Sequence, residues 1–127
     1  MSYEKVVFAF FIVLALTLNY GFYLGEISIV DHHNVYELFA AIVVSLIATI
    51  MKFGDRSQIG SFLLATSLVA DLQLIVAAMI WGITLYGMGE PITPSTMSSI
   101  VSLSGGAVLA NVTSVVLLVV EASRSRR

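Results

Sequence analysis

The stretch LLATSLVADLQLIVAAMIWG, residues 63–82, is almost entirely apolar, yet it holds Asp71 near its centre with Gln73 beside it. An aspartate at the middle of a membrane span costs roughly 2.5–3.5 kcal/mol on insertion scales, so its presence there needs a reason. On a helix, Ser67 sits one turn before Asp71 on the same face, and Thr66 and Gln73 form a polar stripe beside it. A carboxyl group in a dry site takes up a proton, whereas a hydrated or cation-bearing site keeps it charged. Either state suits transport, by proton relay or by cation binding. The structural alternative makes Asp71 a tie between helices, hydrogen-bonded to a group such as Asn19 or Asn111. No base lies inside the apolar stretches to neutralise it, which favours the functional reading. Asn19 and Asn111 fall toward opposite ends of the span. Facing inward with Asp71, Ser67 and Gln73, they would mark a discontinuous polar track for an ion or a proton.

A second group of chemically capable residues surrounds the sequence VDHHNVYE. His33 and Glu37 are four apart, so on a helix they face the same way and offer two ligands to one divalent ion. Such pairs also arise by chance at a solvated helix start. Histidine titrates near neutrality, which adds pH sensing by His32 and His33 as a further option. Glu26, Asp31, Glu37 and Glu90 share one side of the membrane in the topology given below, with no base among them. Glu26, Glu37 and Glu90 would there form an outer vestibule that concentrates cations. Equally, they are what remains once the bases have gone to the other side. There is no glycine-rich phosphate loop, nucleophile elbow, HExxH or mid-helix histidine pair, so neither an enzyme nor a cofactor is expected.

The elements that must position these residues are transmembrane helices. Of the 127 residues 58% are hydrophobic and 11% charged, too few polar groups to cover a soluble core of this size. Four apolar stretches each approach the roughly 20 residues needed to cross about 30 Å of hydrocarbon. Unpaired backbone groups are too costly in lipid for anything but helix, and a barrel would show alternating segments of about ten residues. Helices are therefore expected over about 5–25, 35–53, 57–87 and 94–121. Gly54 should stop the second, Asp55 should cap the third with Gln58 three residues on, and Asp31 or Asn34 should cap the second. Thr93-Pro94 reads as a cap and first-turn proline for the fourth. The short connections make successive helices antiparallel neighbours in one all-α domain, a four-helix polytopic membrane bundle spanning 1–127.

With both termini in the cytoplasm, all six lysines and arginines fall on that side, as the positive-inside rule prefers in a bacterial inner membrane. Trp81, Tyr20, Tyr23, Tyr36 and Tyr86 then belt the outer end. The fourth helix carries two faces. Ser102, Gly106 and Ala110, extended by Ser99 and Thr113, form a small-residue seam suited to close helix packing within the bundle or between copies. Ser104, Asn111 and Ser114 form a second, polar face. The absence of cysteine excludes disulfides and thiolate metal sites, and a net charge of −2 with no basic patch outside the chain end gives nucleic acid no purchase. The size invites comparison with small multidrug transporters, but their essential glutamate lies in the first helix, where this chain has no acid between Lys5 and Glu26.

The preferred reading is a small membrane subunit that forms an ion-translocating homo-oligomer for cations or protons among membrane lipids. A ring of Asp71, or the serine face of helix four, would line its path. The alternative is a non-transporting accessory or scaffold subunit of a larger membrane complex.

Overall fold

Four helices make up most of the chain in a computed structural model that describes residues 3–24 and 33–125: α1 Tyr3–Tyr23, α2 Val35–Lys52, α3 Gln58–Gly82 and α4 Pro94–Ser125. Glu26, Asp31, His32, Arg126 and Arg127 lie outside the described residues. The shortest helix has 18 residues, about 27 Å of rise, which suffices for the hydrocarbon core of a bilayer. All four are long and apolar enough to span, and the chain is an integral membrane protein of the all-α class. Each helix packs on the next, and α4 closes back on α1, so the four form a ring of antiparallel neighbours. The α3–α4 contact is the most extensive.

Helix ends follow the local chemistry, with two departures from expectation. The Asn34 side chain accepts the Tyr36 N–H at 2.8 Å and so caps α2. Gly54 takes the left-handed conformation, φ +91°, just past the α2 C-cap Phe53. Thr93 accepts the Thr96 N–H at 3.2 Å ahead of Pro94, as a cap and first-turn proline should. The cap of α3, however, is Ser57 and not Asp55: Ser57 Oγ accepts from Gly60 N at 3.0 Å. Asp55 serves one step earlier, closing the turn by accepting Ser57 N–H at 3.0 Å and Ser57 O–H at 2.7 Å. A Cβ on Gly60 would collide with the Asp55 carboxylate, so the turn is built around that bare position. Loss of the cap in Ser57→Ala is expected to cost about 1 kcal/mol of stability, measured by reversible unfolding in mixed micelles.

Asp55 also makes this turn acid-sensitive. Its hydrogen bonds from Ser57, first the hydroxyl and then the backbone N–H, hold the carboxyl below its ordinary value of 3.8; burial opposes them, and Lys52 adds a smaller attraction at 3.4 Å. The folded state thus binds this proton less readily than the unfolded chain. Its contribution is complete above the ordinary carboxylate range and is lost as the pH falls through the depressed value. An acid titration of unfolding should show that limb in the wild type and a shallower one in Asp55→Asn.

The second departure lies at the other end of α3, where an uninterrupted helix to residue 87 was expected. The chain instead widens into a π turn, Ile83–Gly87, with Met88 N–H bonded to Ile83 O at 2.8 Å. Gly82, Gly87 and the left-handed Gly89 crowd this segment, and glycine weakens α-helix by roughly 0.5–1 kcal/mol relative to alanine. At the opposite end α4 runs one turn beyond residue 121. There Glu121 pairs with Lys5 at 3.6 Å, and Arg124 complements the helix C-terminus.

The core has two apolar layers. Phe8, Ile12, Ala48 and Leu63 close the bundle at the end that carries Lys5, Lys52 and Arg124. Phe22, Leu38, Ala77, Met97 and Ile100, backed by Trp81, close the opposite end. Asn19, Ser45, Thr49, Ser67, Asp71, Ser104, Asn111 and Ser114 are buried along the middle of the helices, and His33 and Thr84 are buried at the end that carries Trp81.

Candidate functional site

Asp71 is 5% exposed and faces α2. Ser45 O–H donates to its Oδ1 at 2.6 Å, and Thr49 O–H lies 2.6 Å from Oδ2. The two donors are one turn apart on the inner face of α2, so a single carboxyl bridges both. The Thr49 hydroxyl also lies 2.9 Å from the Ser45 carbonyl of its own helix, the usual back-bond of a hydroxyl residue in a span. Neither Asn19 nor Asn111, the partners anticipated for a structural role, bonds to Asp71.

The other sequence candidates are distributed as follows. Asn19 Oδ1 accepts from Ser104 Oγ at 2.6 Å, which ties α1 to α4 in the half of the bundle away from the lysines. Thr66 and Ser114 hydroxyls meet at 2.6 Å and tie α3 to α4 nearer the basic end. Ser104 and Ser114 are ten residues apart on α4, so these two ties are separated by about 15 Å along the axis. Asp71 lies five residues, about 7.5 Å, beyond Thr66 and hence midway. The expected stripe of Thr66, Ser67, Asp71 and Gln73 therefore splits: Asp71 turns to α2, while Thr66 and Gln73 turn to α4. Gln73 lays its amide over Gly106, where a Cβ would strike it. Among the described residues, the buried Asn19 Nδ2, Ser67 Oγ, Gln73 Oε1 and Asn111 Nδ2 of this column meet no hydrogen-bond partner.

Asp71 is thus buried within its own bundle and directed toward α2.

Of the two faces of α4, the polar one is intact and the small-residue seam is divided. Ser104, Asn111 and Ser114 are buried in the bundle. Ser99, Ser102 and Thr113 face outward, while Gly106 and Ala110 are half-buried at the α3 contact. Ser95 and Ser98 join Ser99 and Ser102 on the outward face, a stripe of four hydroxyls at helical spacing. Farther along α4 the exposed positions are Leu109, Val112, Val116, Val119 and Val120, with Thr113 turning its hydroxyl back to Leu109 O at 2.9 Å.

At the acidic end, His33 is buried and its Nδ1 lies 2.7 Å from Phe22 O, one of the last carbonyls of α1. Its ring also packs 5.7 Å from that of Phe22. Glu37 folds onto Gly21 of α1, and Glu90 is exposed in the α3–α4 connection. The histidine thus fastens the end of a helix, and among the described residues no three potential ligands gather around a metal position.

Ser45 and Thr49 are the site residues that sequence reasoning missed. Their signal was a hydroxyl pair four apart in an otherwise apolar helix, on the face shared by Leu38, Ala41 and Ala48. Hydroxyls in spans so often bond their own backbone that the pair does not stand out without its partner.

The sequence model of a family of unknown function, DUF6394, matches residues 32–122, which takes in α2, α3 and most of α4. No curated protein and no solved structure matches the chain.

Proposed function

Because the chain belongs to a family whose function is unknown, geometry must guide the reading, and we propose that the protein is a non-transporting accessory subunit that packs α4 against a helix of a larger membrane complex. What carries this reading is the direction of the α4 hydroxyls. Ser95, Ser98, Ser99 and Ser102 point out of the bundle, where a lipid-facing helix would carry leucine or valine, as α4 itself does in its second half. In lipid there is no hydrophobic drive between helices, so close approach over small side chains and interhelical hydrogen bonds supply the attraction. Asp71, the acid at mid-depth of the described spans, is meanwhile hydrogen-bonded to α2 inside the bundle, so it is not placed to serve a conduction path between copies.

The second reading is the ion-translocating homo-oligomer, for cations or protons, favoured by the same four serines: several α4 helices around an axis would present a hydroxyl-lined path. Its membrane would be the bacterial inner membrane with both termini in the cytoplasm, following the distribution of bases.

The chain has no cysteine, so Ser102→Cys provides a clean reporter. An accessory subunit should cross-link in native membranes to a different, larger chain and not to itself, and should leave liposomes sealed to potassium and protons. Self-cross-linking together with ion flux from the purified protein would replace this reading by the second.

A further inference from the structure

The geometry points to a reversible proton-binding site at Asp71, in which Thr49 reverses the direction of its hydrogen bond when the proton arrives. This goes beyond assembly through α4 and rests on different residues. A hydroxyl has one proton to give, yet Thr49 Oγ1 is 2.6 Å from Asp71 Oδ2 and 2.9 Å from Ser45 O. The two contacts correspond to two states of one network. With Asp71 ionised, Ser45 donates to Oδ1 and Thr49 donates to Oδ2. When a proton binds, an O–H bond forms at Oδ2 and donates to Thr49 Oγ1. The Thr49 hydroxyl turns to the Ser45 carbonyl, while Ser45 continues to donate to Oδ1. The carboxylate charge is neutralised, one proton is taken up, and no heavy atom has to move. Each group keeps a partner in both forms, which is what a buried site needs if neither form is to leave an orphaned polar atom.

The spacing selects a proton over a metal ion. Carboxyl and hydroxyl oxygens 2.6 Å apart are joined by a hydrogen. A cation such as calcium, with bonds of roughly 2.3–2.6 Å to each oxygen, would have to force them apart. No other ionisable group competes for the proton at this depth. On α3 Asp71 is the only one; on α2 Tyr36, Glu37 and Lys52 lie at the two ends. On α4 none precedes Glu121, and on α1 none lies between Lys5 and Tyr20. Ser67, one turn before Asp71, and Asn111 of α4 are buried with Oγ and Nδ2 unpartnered; both are neutral at any pH.

The test is infrared difference spectroscopy of the full chain in liposomes during a pH titration, with circular dichroism to confirm that each variant is folded. The carbonyl-stretch band of a protonated carboxyl should appear on acidification in the wild type and be lost in Asp71→Asn. That variant can give its amide hydrogen to Thr49 and accept from Ser45, so it is expected to fold. Ser45→Ala should move the band to higher frequency, because Oδ1 loses its donor. Thr49→Val should displace the pH at which the band disappears, and Thr49→Ser should restore it. A band absent from the folded wild type at every pH overturns the proposal. So does a band that ignores pH, or one indifferent to Thr49→Val.

Discussion

Asp71→Ala is expected to lower the stability of the bundle by roughly 1–3 kcal/mol, and Asp71→Asn by well under half of that. Interhelical hydrogen bonds in membranes contribute about 0.6 kcal/mol on average and at most about 1.7, and the alanine variant loses two. The loss should fall unevenly. Thr49 can transfer its hydroxyl wholly to the Ser45 carbonyl 2.9 Å away, whereas Ser45 has no such second bond and is left with a buried donor. Ser45→Ala in the Asp71→Ala background should therefore regain part of the stability, while Thr49→Val in that background should not. Asparagine keeps both contacts, giving a hydrogen to Thr49 and accepting one from Ser45. Reversible unfolding in mixed micelles reads all four chains. If alanine and asparagine prove equally harmless, the α2–α3 tie is not made by this carboxyl at all.

The architecture was readable from sequence because lipid enforces it. Four apolar runs, each bounded by glycine, proline or a capping side chain, leave helices as the only solution, and short connections make neighbours antiparallel. Depth was readable too: Asp71 falls midway between the expected start of the third helix at Asp55 and the turn at Gly87. Which way it faced was not. Residues 66, 67, 71 and 73 all lie on the polar side of one helix, and only the rotation of α3 in the bundle decides that Asp71 meets α2 while Thr66 and Gln73 meet α4. That rotation goes with contacts between segments far apart in the chain, such as the close approach of Gln73 over Gly106. The pairing of Asn19 with Ser104, at a separation of 85 residues, is hidden for the same reason. The spacing of His33 to Glu37 gives no sign that the His33 ring turns inward to a carbonyl at the end of α1. The polar face of α4, Ser104, Asn111 and Ser114, was distinguishable by pattern alone, whereas the small-residue seam divides, with Ser99, Ser102 and Thr113 pointing out and Gly106 turned under Gln73.

That outward face yields the second large effect. Replacing Ser99 and Ser102 together by leucine should weaken assembly at least tenfold, about 1.4 kcal/mol, without destabilising the protomer. Both positions are exposed, so leucine meets lipid in the isolated bundle and costs nothing there. Against a partner helix the same side chains hold the two backbones apart and remove two hydroxyls from the contact, so close packing and hydrogen bonding fail together. Leu109→Val, also on the exposed surface but outside the serine stripe, is the matched control and should leave assembly intact. Native gel migration of the chain from its own membranes reads the assembled state, and unfolding of the purified chain reads the protomer. Release of the double variant with unchanged unfolding locates the contact on the serine stripe. Unchanged migration would remove α4 from the interface and with it the basis for treating this protein as a subunit that works by contact. Equal release by Leu109→Val would instead extend the interface along the whole exposed face of α4, and the serines would lose their special role.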